Sequence, residues 1–112
     1  MIVSVLSLVG PHERAQVERH ARFAWGKIVR CYETIDRSAR GSVTVELAVS
    51  GSGSSNNARR LSATLKNRDL SACLTKIMNG LAMPKARSTS FAKIEIRVAP
   101  GDRAEAKNRR LV

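Results

Sequence analysis

Residues Ile2–Val9 are apolar and rich in β-branched side chains, with serine as the only polar type, and Gly10-Pro11 follows. This reads as a strand ended by a turn. Beyond it, apolar residues fall at Val17, Ala21, Ala24, Ile28, Cys31 and Ile35. Steps of four and three trace one stripe of a helix. Gly26 is the only glycine between His12 and Arg37, and no proline interrupts the span. The pattern predicts a single amphipathic helix of about 24 residues. The period then drops to two: Val43, Val45, Leu47 and Val49 alternate with Ser42, Thr44, Glu46 and Ala48, a strand with one buried face. Gly51–Asn57 is a turn, with glycines for positive φ and Ser/Asn side chains to bond the backbone. Ala58–Leu65 reads as the return strand, with Leu61, Ala63 and Leu65 on one face and Arg59, Arg60, Ser62 and Thr64 as its polar positions. Asn67 or Asp69 can cap a second helix, carried by Leu70, Cys73, Leu74, Ile77, Met78 and Leu81 and closed by Gly80 and Pro84. A polar loop, Lys85–Ser90, leads to Phe91–Val98, where Ile94, Ile96 and Val98 alternate with Lys93, Glu95 and Arg97.

The order is β-α-β-β-α-β. One-sided strands and one-sided helices imply an α+β two-layer sandwich, with the helices on one face of a mainly antiparallel sheet. The other face is left to solvent or to a partner. Residues 1–100 make one domain, and 101–112 a short, basic, flexible tail.

Net charge changes the picture. The chain of 112 residues carries +11, with a pI of about 11.1, a balance that favours anionic partners. Its cations are spread along the chain, and with 4% aromatic residues no basic run is interleaved with rings. A small basic nucleic-acid-binding domain is therefore the alternative function, supported by charge but lacking sheet aromatics for stacking. The first apolar run is too short to span a bilayer and lacks the basic start and cleavage site of a signal peptide. The expectation is a domain of a longer exported protein.

Candidate chemistry is sparse. His12 and His20 are the only histidines, and no Cys or third His is placed to complete a zinc site. The carboxylates fall on polar faces without forming an acid–base pair, and Gly51-Ser52-Gly53 matches no phosphate or dinucleotide loop. No catalytic residue, cofactor, metal or small-molecule substrate is assigned, and the chain reads as a non-enzyme. Cys31 and Cys73 lie on the apolar sides of two helices expected to share one sheet face. Two buried thiols or a bridge are both compatible with that placement. A bridge would constrain the unfolded chain by about 4 kcal/mol.

A further pattern runs through these elements. Ile28-Val29-Arg30-Cys31-Tyr32-Glu33 precedes Gly41-Ser42-Val43-Thr44-Val45-Glu46-Leu47, then a Gly-bearing turn, Ser62-Ala63-Thr64-Leu65, Leu70-Ser71-Ala72-Cys73 and Pro84. In this order and spacing they resemble the AgmX/PglI C-terminal domain, a TonB-like family of myxobacterial and related envelope proteins, over residues 12–98. Met83 stands where the family often has an aromatic residue, and the hairpin turn lacks the usual acidic one. The resemblance implies a TonB C-terminal-like fold, a periplasmic location and a Cys31–Cys73 disulfide, which an oxidising compartment preserves. It also implies an interaction domain of a gliding-motility or other envelope-spanning complex, binding an outer-membrane or periplasmic protein or peptide by strand addition. The expected docking edge is the last strand, through Phe91, Lys93, Glu95 and Arg97; the alternatives are that it is merely a core strand, or that it pairs with Ile2–Val9 or with a second copy. Arg59, Arg60, Lys93 and Arg97 read first as a solvated sheet face, and in the alternative as a basic rim for an acidic partner or an anionic glycan.

Overall fold

The computed structural model describes residues 2–100. The elements are β1 (Ile2–Val9), α1 (Arg14–Arg22), α2 (Trp25–Ile35), β2 (Gly41–Val49), β3 (Ser55–Ala63), α3 (Arg68–Ile77) and β4 (Ser90–Val98). They build the expected α+β sandwich. The four strands form one antiparallel sheet in the order β1-β4-β2-β3, with the helices packed on one face. The expected tail, 101–112, lies outside the described residues.

The alternating strands supply the sheet side of the core. Val43, Val45, Leu47 and Val49 of β2, with Ala92, Ile94, Ile96 and Val98 of β4, are all buried. Ile28, Tyr32, Leu70, Leu74 and Met78 close over them from the helices. Each large side chain buried here is worth about 1.5–3 kcal/mol of transfer free energy.

β1 reaches the same core through a bulge. Val3 and Val5 are buried opposite Ile96 and Ile94, but the register shifts between Val5 and Ser7. Without that extra residue, strict alternation would turn Ser7 and Val9 toward the helices. The bulge at Leu6 inverts the phase, so Leu8 packs against the core and Val9 stands exposed on the other side.

The long first helix is in fact two. Phe23 N–H bonds His20 O at 3.1 Å and Ala24 N–H bonds Ala21 O at 3.2 Å. These i→i−3 bonds tighten the chain into a turn of 3₁₀ type. The apolar stripe survives the break: Val17, Ala21, Ala24, Ile28 and Cys31 are all buried. Phe23 is turned outward, 69% exposed, with its ring edge against His20.

The helices are tied at their ends. Asn67 caps α3, its side chain accepting from Leu70 N–H at 3.0 Å, and its amide reaches the Asp36 carboxylate beyond α2 at 3.4 Å. Asp36 also accepts from the Ser38 hydroxyl (2.8 Å) and N–H (3.0 Å). These bonds from Ser38, the hydroxyl first, hold its carboxyl below the usual value. Cys31 of α2 and Cys73 of α3 form a disulfide, with Cα atoms 6.1 Å apart. Of the two compatible readings of the cysteines, the bridge is the one realised.

Candidate functional site

An antiparallel sheet that is not closed has two edges, and each presents backbone N–H and C=O groups that need partners. The two edges of this sheet are β1 and β3. β4, expected as the docking edge, is interior: it pairs with β1 on one side and with β2 on the other. The physical reason is in its own alternation. Ala92, Ile94, Ile96 and Val98 all face the helices and are buried, so the strand gains most from the middle of the sheet. β3 has no comparable apolar face. Leu61 and Ala63, expected to point inward, are exposed, and of that set Leu65 alone, past the strand end, is buried. Register shifts on both sides of Val45-Glu46 disturb the alternation of β3.

The β1 edge is closed by side chains at Val3–Val5. Glu18 Oε2 accepts from Val5 N–H at 2.9 Å, Arg14 donates to Val5 O, and Arg22 Nε donates to Val3 O at 3.3 Å. Arg22 and Glu18 also pair with each other at 2.8 Å. The polar face of α1 thus occupies the backbone groups that a new strand would need at Val3–Val5. Nothing local in the sequence announced this role for Arg14, Glu18 and Arg22. By sequence they sit on the polar side of the apolar stripe, as on any solvated helix face.

The β3 edge is half covered. Ser55 N–H bonds Leu81 O and Ser55 O accepts from Gly80 N–H, at 3.0 and 2.8 Å. Asn79 Oδ1 takes Ala58 N–H at 2.8 Å, and Ser54 bridges to Ala82. The segment after α3 therefore acts as a short fifth strand along Ser54–Ala58. From Arg59 to Ala63 no such cover exists: among the described residues, no other segment bonds the outer backbone of this stretch. All five of its side chains are exposed.

The anticipated surface residues divide between two surfaces. Phe91, Lys93, Glu95 and Arg97 project from β4 onto the helix-free face, mid-sheet. Phe91 is 59% exposed beside Val9, its partner across the ladder. Arg97 reaches Glu95 at 3.4 Å. Arg59 joins this face: Lys93 pairs with Glu46 in register, Glu46 with Arg59, and Arg59 Nη2 lies 3.1 Å from Glu46 Oε1. The row across the sheet thus alternates in charge. Arg60 is opposite the core residue Val45, and so stands on the helix side of the same edge. The four cations read in the alternative as one rim are therefore not one cluster.

The remaining polar features are structural. His12 is buried. Its Nε2 lies 3.1 Å from Ser50 O, its Nδ1 2.6 Å from Ser90 Oγ, and its N–H donates to the same Oγ at 3.1 Å. Since Ser50 O can only accept, Nε2 carries a proton. His20 contacts Ala82 O at 3.2 Å. His12 does face a hydroxyl, that of Ser90, but Ser90 is fully buried and His12 nearly so, so the pair ties β4 to the segment after β1 out of reach of a substrate; the two cysteines are spent in the disulfide.

No family model matches the chain, so the likeness to the AgmX/PglI domain stays one of motifs, and no curated protein matches its sequence. Among solved structures, the chain is similar to the solution structure of the Helicobacter pylori TonB-CTD, at 14% identity and a TM-score of 0.48, over 80% of this chain and 96% of that one.

Proposed function

We propose that this chain is a non-enzymatic protein-interaction domain that binds an extended segment of an envelope protein by adding it as a strand to β3. The observation that carries this reading is the contrast between the edges. Helix α1 closes the Val3–Val5 part of β1 with three side chains, whereas Arg59–Ala63 offers a bare ladder among the described residues. Strand addition takes affinity from main-chain bonds and selectivity from alternate side chains. The disulfide supports an oxidising compartment, and with it a periplasmic location. The motif likeness of Cys31-Tyr32-Glu33, Gly41 and Leu70–Cys73 supports a place in a gliding-motility or other envelope-spanning assembly. The helix-free face weakens the nucleic-acid alternative, since β4 brings one aromatic ring there, Phe91, and Tyr32 is buried.

The test is selection of eight-residue peptides from a random display library on the oxidised chain, followed by amide hydrogen exchange of the complex. Bound peptides are expected to slow exchange within Arg59–Ala63 while leaving β1 unchanged. Binders that protect only the helices or β1, or a library that yields none, would refute strand addition at β3.

A further inference from the structure

The charges bordering the open ladder say more about what it accepts, and this step rests on strand addition at β3. Across the helix-free face, one row runs Lys93, Glu46, Arg59 from β4 through β2 to β3. Opposite charges on neighbouring strands stabilise a sheet and like charges oppose it. A fourth strand in that row would meet Arg59, so the sign that continues the alternation is negative. Arg60, the next residue, stands on the helix side of the edge opposite Val45 and has no acidic partner among the described residues. No Asp or Glu occurs between Glu46 and Asp69, whereas Arg59, Arg60, Lys66 and Arg68 all fall there. Successive residues of an incoming strand point to opposite faces, so two neighbouring side chains would meet Arg59 and Arg60, one on each side of the sheet.

We infer that the segment accepted by β3 carries two consecutive acidic residues, one facing Arg59 on the helix-free face and the next facing Arg60 on the helix side. The partner class is an extended acidic peptide whose acidic pair sets the register of the added strand.

Three synthetic eight-residue peptides test this, each of alternating Thr and Val with Glu-Glu, Gln-Gln or Lys-Lys at the centre. Their affinities are measured by fluorescence anisotropy on the wild-type chain at low and at 300 mM salt. Exposed ion pairs are individually weak, so the Glu-Glu peptide is expected to bind about five- to tenfold tighter than Gln-Gln, and Lys-Lys weakest. The gap should shrink at high salt. Arg60→Glu, which touches no ion pair of the fold, should remove most of the preference, and Arg59→Glu/Arg60→Glu should favour Lys-Lys. Lys27→Glu/Arg30→Glu on α2 should leave the preference intact. Equal affinity for Glu-Glu and Gln-Gln, with exchange protection still at Arg59–Ala63, would overturn the acidic pair and leave strand addition standing. A Glu-Glu preference abolished by the α2 variant and indifferent to Arg60 would overturn it as diffuse attraction to a basic protein. Failure of all three peptides to protect β3 would sink both readings.

Discussion

Reduction of the Cys31–Cys73 bond acts on a loop closed over a sequence separation of 42. In the chain-entropy model, releasing a loop of that length returns about 4 kcal/mol of conformational freedom to the unfolded chain. The folded side changes little. Cys31 is buried, Cys73 half-buried, and both helices stay anchored by Ile28, Tyr32, Leu70 and Leu74. Domains of this size have a net stability of about 5–15 kcal/mol, so the staple is a large share of the total. Urea denaturation with and without a phosphine reductant measures it. With an m-value near 1.5 kcal/mol/M, the midpoint is expected to fall by about 2.5 M. The m-value should rise, because the reduced unfolded chain exposes more surface. Cys31→Ala/Cys73→Ala should lose slightly more than reduction does, since it also removes two packed sulfur atoms. Equal midpoints in the two redox states would refute the entropy argument. A drop in midpoint with an unchanged m-value would place the effect in the native packing instead.

Three further outcomes follow from single positions. Gly41 has φ of +140°, and a Cβ there would lie 2.8 Å from Thr64 Oγ1 and 2.9 Å from Leu65 N. Gly41→Ala should therefore cost about 2–3 kcal/mol in a urea melt, and a cost below 0.5 would show that the β2–β3 junction is not held as described. Glu18→Ala leaves Val5 N–H without its acceptor and should destabilise by about 1–3 kcal/mol. It should also raise self-association by sedimentation, because the β1 edge opens, and a stable monomer would argue against the guard role. Asp36, held low by its bonds from Ser38 and Asn67, should titrate by NMR below its unfolded value of about 3.9. A folded pKa lowered in this way adds stability above the unfolded pKa, which is lost as pH falls through the folded value. A midpoint at or above the unfolded value would contradict the hydrogen-bond geometry.

The layers were legible in the sequence because burial writes a period into it. The steps of four and three from Val17 to Ile35, and the alternation of β2 and β4, are direct records of which side chains face the core. Edge and centre were also written there, in a different form. β4 carries four inward apolar residues, whereas the Arg-rich β3 carries almost none, and the strand with the poorest apolar face belongs at the rim. The helix break at Phe23-Ala24 left only a faint mark, Gly26 in the first turn of α2, because the stripe continues through it. The guards of β1 were illegible for another reason. Arg14, Glu18 and Arg22 bond to backbone atoms up to 19 residues away, and backbone groups are the same whatever the sequence.

The two edges of the sheet face one hazard, pairing with another chain, and meet it by different means. On β1 the residues Ile2–Val9 carry no charge at all, so exclusion has to come from outside the strand, and α1 supplies it by occupying Val3 O, Val5 N–H and Val5 O. On β3 the backbone of Arg59–Ala63 has no cover among the described residues, and in the proposed reading its own side chains do the sorting. Antiparallel pairing with a second copy would put four guanidiniums on one short ladder between two bodies that each carry +11, and like charges across strands are destabilising. An acidic segment meets the same guanidiniums as partners. An edge stretch covered as Val3–Val5 is rejects any strand there, whereas a charged one rejects by sign, and only the second can serve as a site. That physical difference, more than exposure alone, is why function is placed on β3.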